Sequence, residues 1–337
     1  MMQNCETYFF GNNTLPLVIE SKKKITSREN FFSKLEKNRE WVKKNLLRYG
    51  GILFRGFPLK GVDDFAESIK RIGLGVPIDY IGGDSPRIKI KEGVYTSTEA
   101  PPSFKIPLHN ELSFVKYYPH HIYFFCEEPS LEGGATILGD ARKIYQSINP
   151  EIRRKFQENG LKYVSHYYKK SFLIDLVNRL GKGHKRWDDV FETESKKDVE
   201  KKCIHHEFVY KWLKNDWLEV SQIRPAVTDH PETHEKIWFN QAQLYDFNKR
   251  LLGFGKYLGA KILYLRPHTR LHEVFYANGT KIDTKTMNHI HDVLDQETVF
   301  FSWQKGDLLI LDNILSMHGR APFKGKRRIL TCMTNEI

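Results

Sequence analysis

Two polar segments that lie near opposite ends of the chain set the strongest constraint on its fold. The first is Pro107-Leu108-His109-Asn110-Glu111-Leu112. The second is Asp312-Asn313, followed by His318-Gly319-Arg320 and then by Arg327-Arg328. For these side chains to act together, strands distant in sequence must lie side by side. On extended backbone, residues two apart share a face, so His109 and Glu111 project together and Asn110 projects away. Two imidazoles and a carboxylate can hold one face of a ferrous ion and leave the other positions open. Alone, His-x-Glu is a weak signal, and His318 could equally be a surface or core histidine. Its setting favours the site: Asp307–Asp312 reads as a buried strand, with His318 on a polar turn at its end, where a barrel mouth would lie.

Apolar periodicity supplies the frame. Residues 28–49 read as one helix, with Phe31, Phe32, Leu35, Trp41, Val42, Leu46 and Leu47 at helical spacing, ended by Gly50-Gly51. Ile52–Phe57 reads as a buried strand and Val62–Ile72 as a second helix. Residues 81–106 read as loop with short strands. His121–Cys126 and Ala135–Leu138 are expected strands around the Gly133-Gly134 turn. Asp140 is an expected helix cap, Pro150 opens another helix, and Leu161–Tyr167 is a strand. Hairpins are expected over 220–240, around His230–His234, and over 273–282, with Asn278-Gly279 as its turn. A helix over 284–294 precedes strands at 298–303, 307–312 and 328–333. Many short strands with helices at their edges predict a mainly β (α+β) chain with a double-stranded β-helix core, a jelly roll of the cupin-like kind. The whole chain, 1–337, reads as one domain with a charged helical insertion at about 168–215.

Composition narrows the class. Charged residues are 28% and hydrophobic ones 40%, as in an ordinary globular protein, and the 13% of aromatics suits a packed β core. The net charge of +12 fits either an acidic partner or a Lys-rich solvated surface. The lysines are spread in short runs, and no zinc finger or basic zipper is present, so nucleic acid is not the expected partner. Cys5, Cys126, Cys203 and Cys332 have no CxxC spacing and read as reduced thiols, with Cys126 and Cys332 in the core. With neither a leader-like N-terminus nor an apolar run long enough to span a bilayer, the expected location is cytoplasmic.

On these segments the chain resembles the taurine dioxygenase family (TauD/TfdA-like) of Fe(II)/2-oxoglutarate-dependent oxygenases, in its SyrP-like branch. The resemblance rests on Gly51–Phe57, Thr96-Ser97-Thr98-Glu99, Pro107–Glu111, Glu132–Thr136, Arg224–Val227, Trp238–Gln241, Trp303–Asp307 and His318–Phe323. It implies that His109, Glu111 and His318 hold the iron. It also implies that Thr136 and Arg328 bind 2-oxoglutarate, the co-substrate beside dioxygen. Thr136 could otherwise be a plain strand residue. Strand alternation sends one of Arg327 and Arg328 inward, and an inward guanidinium implies an anion. Thr98, Glu99, Asn240, Gln241 and Arg320 stand as substrate-binding candidates, or equally as supports of the site. His289 and His291 lie two apart on a predicted helix and read as solvated surface.

The activity so implied is a hydroxylation. Its target would be an unactivated C–H of an amino acid or amino-acid-derived molecule of secondary metabolism, free or tethered to an acidic carrier protein. The carboxylate of Glu111 favours hydroxylation over halogenation. Desaturation or cyclisation on the same scaffold is the alternative outcome, and a non-catalytic, basic cupin-like binding module is the rival from another class. A homo-oligomer is left open.

Overall fold

The computed structural model describes residues 5–21, 27–78, 87–169, 172, 185–246, 250, 253, 255, 257, 258 and 270–335. Two β-sheets face each other. The larger runs, in spatial order, through Cys5–Tyr8, Leu17–Ser21, Gly51–Arg55, Leu308–Asp312, His121–Glu128, Arg328–Asn335, Val94–Thr96 and Lys89–Lys91. The smaller contains Val299–Phe301, Thr136–Asp140, Ser316–Arg320 and Ile106–His109. Neighbours in the smaller sheet are antiparallel. Strands from the two ends of the chain alternate from Gly51–Arg55 to Val94–Thr96 in the larger sheet and throughout the smaller, and this arrangement is the double-stranded β-helix, or jelly roll.

The long apolar runs follow from burial on both faces. Leu309 and Leu311, with Ile122, Phe124 and Cys126, join the core between the sheets. Leu308 and Ile310, with Tyr123 and Phe125, face the opposite way. There they pack against Phe31, Leu35, Val42, Leu46, Phe65 and Ile69 from the helices Arg28–Lys37, Arg39–Tyr49 and Val62–Ile72. The expected single helix over 28–49 is two. Asn38 leaves helical geometry at φ −116° and ψ 23°, while its amide still donates to Lys34 and Leu35.

Other expectations shift for equally local reasons. His318 lies within the strand Ser316–Arg320, not on a turn. The 220–240 hairpin is reduced to Val227–Asp229 paired with Lys236–Trp238, because Leu218–Arg224 joins a third sheet between Val209–Trp212 and Leu161–Tyr167. The expected 273–282 hairpin contributes His272–Tyr276 to that same sheet and returns through one bridge, Phe275 to Lys281. Within the expected insertion, Trp187–Phe191 and Lys196–His205 are helices, but Val209–Trp212 is an edge strand. Residues 170, 171 and 173–184 of that stretch lie outside the described residues. His291 is buried at 5% exposure, with Asp246 4.0 Å away, and is not a solvated histidine. Cys126, Cys203 and Cys332 are buried free thiols. Among the described residues no helix is long and apolar enough to cross a membrane.

Candidate metal centre and co-substrate cleft

The pairing of Ile106–His109 with Ser316–Arg320 sets His109 directly opposite His318. Their ring centroids are 4.5 Å apart. The strand ends at His109, and Glu111 follows on the turn that closes it, with Leu112 in the left-handed region at φ 54°. Potential ligand atoms of His109, Glu111 and His318 all lie within 4.8 Å of one another, and all three residues are buried. The three side chains expected to converge do lie together, although strand alternation does not place Glu111.

Two asparagines tie the ligand segments to each other. Asn313 replaces the missing strand partner of Glu111: its Oδ1 accepts the Glu111 amide at 2.7 Å, and its Nδ2 donates to the Glu111 carbonyl at 2.9 Å. Asn110, projecting away from the site, donates through Nδ2 to the carbonyls of Asn313 and Ser316 at 2.7 and 3.2 Å. Gln241 and Gln243 brace the same segment by donating to the carbonyls of Asn110 and Leu108. Asp312 accepts the amides of Ile314 and Leu315, and His230 Nε2 lies 3.1 Å from it. No local spacing announces the braces from Asn110, Asn313, Gln241 and Gln243, because each joins segments far apart in the chain.

The electrostatics suit a cation. His109 Nδ1 lies 2.9 Å from the Pro107 carbonyl. A carbonyl can only accept, so Nδ1 carries the proton and Nε2 keeps its lone pair for a metal. Burial, reinforced by the charge of His318, pulls the His109 pKa down to about 4. Burial alone would push Glu111 up. Arg87, whose Nη2 lies 2.6 Å from its Oε2, and the two imidazoles outweigh that and hold the carboxyl well below the usual range. A neutral imidazole and an ionised carboxylate are the forms that bind metal. The donor set therefore fits a ferrous ion with an open face.

Beside the triad lies a cleft, partly open to solvent, whose lining includes Arg87, Thr98, Phe124, Thr136, Arg320 and Arg327. Thr136 Oγ accepts the Trp303 indole N–H at 2.9 Å, which leaves the hydroxyl proton for a ligand. The arginine that faces inward is Arg327, where Arg328 was expected. Arg328 points outward, half exposed, and pairs with Glu127 at 2.6 Å. Arg327 lines the cleft instead, donating to the Gly134 carbonyl at 3.1 Å. A register irregularity between Arg328 and Ile329 disturbs the alternation that would have ranked them.

The substrate candidates separate. Thr98 lines the cleft, and Glu99 is exposed. Asn240 is buried away from the cleft, donating to the Ala226 carbonyl and accepting the Ala242 amide. Gln241 serves the ligand segment as described. Arg320 lines the cleft, but its terminal nitrogens donate to the carbonyls of Thr98, Ala100, Pro101 and Phe104.

Residues 22–334 match the family model described as taurine catabolism dioxygenase TauD, TfdA family. The chain belongs to this family. It is a dioxygenase of the class that uses iron and 2-oxoglutarate. The dapdiamide synthesis protein DdaC of Enterobacter agglomerans is 32% identical over 289 residues, covering 86% of this chain and 83% of that one. A clavaminate synthase-like protein of Arabidopsis thaliana is 27% identical over 307 residues, covering 90% and 87%. The fold is shared with PvcB of Pseudomonas aeruginosa, at a TM-score of 0.55, 14% identity and coverage of 99% of this chain and 92% of that one. It is shared as well with AAD-2, solved with Mn(II) and N-oxalylglycine, at a TM-score of 0.53, 12% identity and coverage of 99% and 98%.

Proposed function

We propose that this dioxygenase hydroxylates an unactivated C–H of an amino acid or amino-acid-derived small molecule in a biosynthetic pathway. Iron is held by His109, Glu111 and His318, and 2-oxoglutarate by Arg327 and Thr136. The convergence of the three donor side chains beside a cleft that Arg327 lines carries the assignment of the site. The relative named for dapdiamide synthesis supports a small-molecule biosynthetic substrate.

When bound, iron with 2-oxoglutarate and dioxygen supplies oxidative decarboxylation of the keto acid coupled to oxygen insertion into a C–H bond. The chain's own part is positioning. His109 presents Nε2 because Pro107 fixes its tautomer. Asn313 and Asn110 hold Glu111 and His318 to one frame. Thr136 offers a hydroxyl proton and Arg327 a cation to the carboxylates of the keto acid. Phe124, whose ring lies 5.2 Å from that of His318, gives the site an apolar wall that keeps water from the reacting C–H.

The test is succinate release that requires both ferrous iron and 2-oxoglutarate, screened against free and carrier-tethered amino acids with product masses. A hydroxylated product adds one oxygen, whereas loss of two hydrogens would mean desaturation or cyclisation. His109→Ala and His318→Ala are each expected to abolish metal binding and turnover. Full activity in either variant would remove the triad from the reaction.

A further inference from the structure

Phe323 sits where two guanidiniums meet. The Arg320 guanidinium lies over its ring at 5.1 Å from the centroid, and that of Arg327 at 5.6 Å. Both arginines line the co-substrate cleft. Like charges brought to one cleft repel: burial first, and then the charge of Arg320, pull the Arg327 pKa down to about 10.

The two arginines are not equally fixed. Arg320 is fastened by four backbone carbonyls at 2.7–3.2 Å. Arg327 has the Gly134 carbonyl at 3.1 Å and a long contact of 3.4 Å to Ser97 Oγ. The ring is therefore the shared surface on which the looser guanidinium rests beside the fixed one. Aromatic faces attract cations, most strongly where water is excluded. The main chain holds the ring in place, with Phe323 paired to Gly133 and its amide donating to the Pro102 carbonyl. Those bonds do not depend on the side chain.

We propose that Phe323 is a positioning residue for the co-substrate: its ring orients the Arg327 guanidinium toward the distal carboxylate of 2-oxoglutarate. This rests on the reading that Arg327 receives that carboxylate. Phe323 touches no reacting atom in it. It acts through Arg327 alone, so it affects only ligands that carry the second carboxylate.

The experiment is calorimetric titration of the Mn(II)-loaded protein with 2-oxoglutarate and, separately, with pyruvate, a keto acid that lacks the distal carboxylate. The wild type is expected to prefer the dicarboxylate strongly. Phe323→Leu is expected to weaken 2-oxoglutarate by about tenfold and to leave pyruvate within about twofold. Phe323→Trp, which restores an aromatic face, is expected to recover most of the loss. Equal weakening of both ligands in Phe323→Leu would mean a general packing role and overturn the proposal, as would an unchanged 2-oxoglutarate affinity. If Phe323→Leu did not fold, a Phe323→Trp protein no better than the non-aromatic Phe323→Met would overturn it as well. A wild type without preference for 2-oxoglutarate over pyruvate would instead remove the Arg327 reading, and this proposal with it.

Discussion

Arg327 reaches the cleft through the Gly134 carbonyl, while its neighbour turns outward to Glu127. A charge-assisted pair between a guanidinium and a carboxylate contributes about 1.5–3 kcal/mol per hydrogen bond. Arg327→Ala is accordingly expected to raise the KM for 2-oxoglutarate about a hundredfold. Arg328→Ala loses only an exposed ion pair and should stay within about threefold. Succinate release against 2-oxoglutarate concentration checks both, and the reverse ranking would reassign the clamp. Both arginines were visible in the sequence, as was the rule that one of them must face inward. Their order was not, because it depends on a strand irregularity set by pairing with Glu128 and Cys126 far away in the chain. Arg87 gave no signal: its partner Glu111 meets it across a segment without periodicity.

At the scale of elements, the site depends on how closely Ser316–Arg320 approaches Ile106–His109. Gly319 permits that approach. A Cβ there would stand 2.4 Å from the Ile106 carbonyl oxygen and 2.9 Å from that of Pro107. Backbone atoms cannot yield as a flexible side chain does, so Gly319→Ala must push the strands apart. The expected cost is about 1–3 kcal/mol of stability, read as a lowered urea midpoint. With it, Mn(II) affinity should fall at least about tenfold as His318 leaves His109. A variant with unchanged midpoint and affinity would show that the pairing is not tight. The apolar strands were legible because both faces are buried and the side chains alternate between two cores. The strand bearing His318 was not, because Ser316, Gly319 and Arg320 break the apolar pattern for reasons of the site: Ser316 donates to the Gly50 carbonyl, and Arg320 to a loop.

Across the whole molecule, the proposed metal centre joins the beginning and the end of the jelly roll. His109 and Glu111 precede most of the core strands, and His318 follows them. The three donors share a single site only once Ile106–His109 has paired with Ser316–Arg320, so a metal ion binds the native chain far better than the unfolded one. Such binding stabilises by mass action, about 2.7 kcal/mol at a free metal concentration a hundredfold above Kd. In a chain of this length that amounts to a rise of a few degrees in Tm. Thermal unfolding is therefore expected to shift upward when Mn(II) is added to protein stripped with EDTA, and further when 2-oxoglutarate follows. His318→Ala should unfold at one temperature in EDTA and in Mn(II), because the remaining pair no longer bridges the two ends. If the wild type also ignored Mn(II), the three side chains would not be a metal site at all. A shift that survived in His318→Ala would place the metal on other residues and leave the jelly roll closed by its core alone.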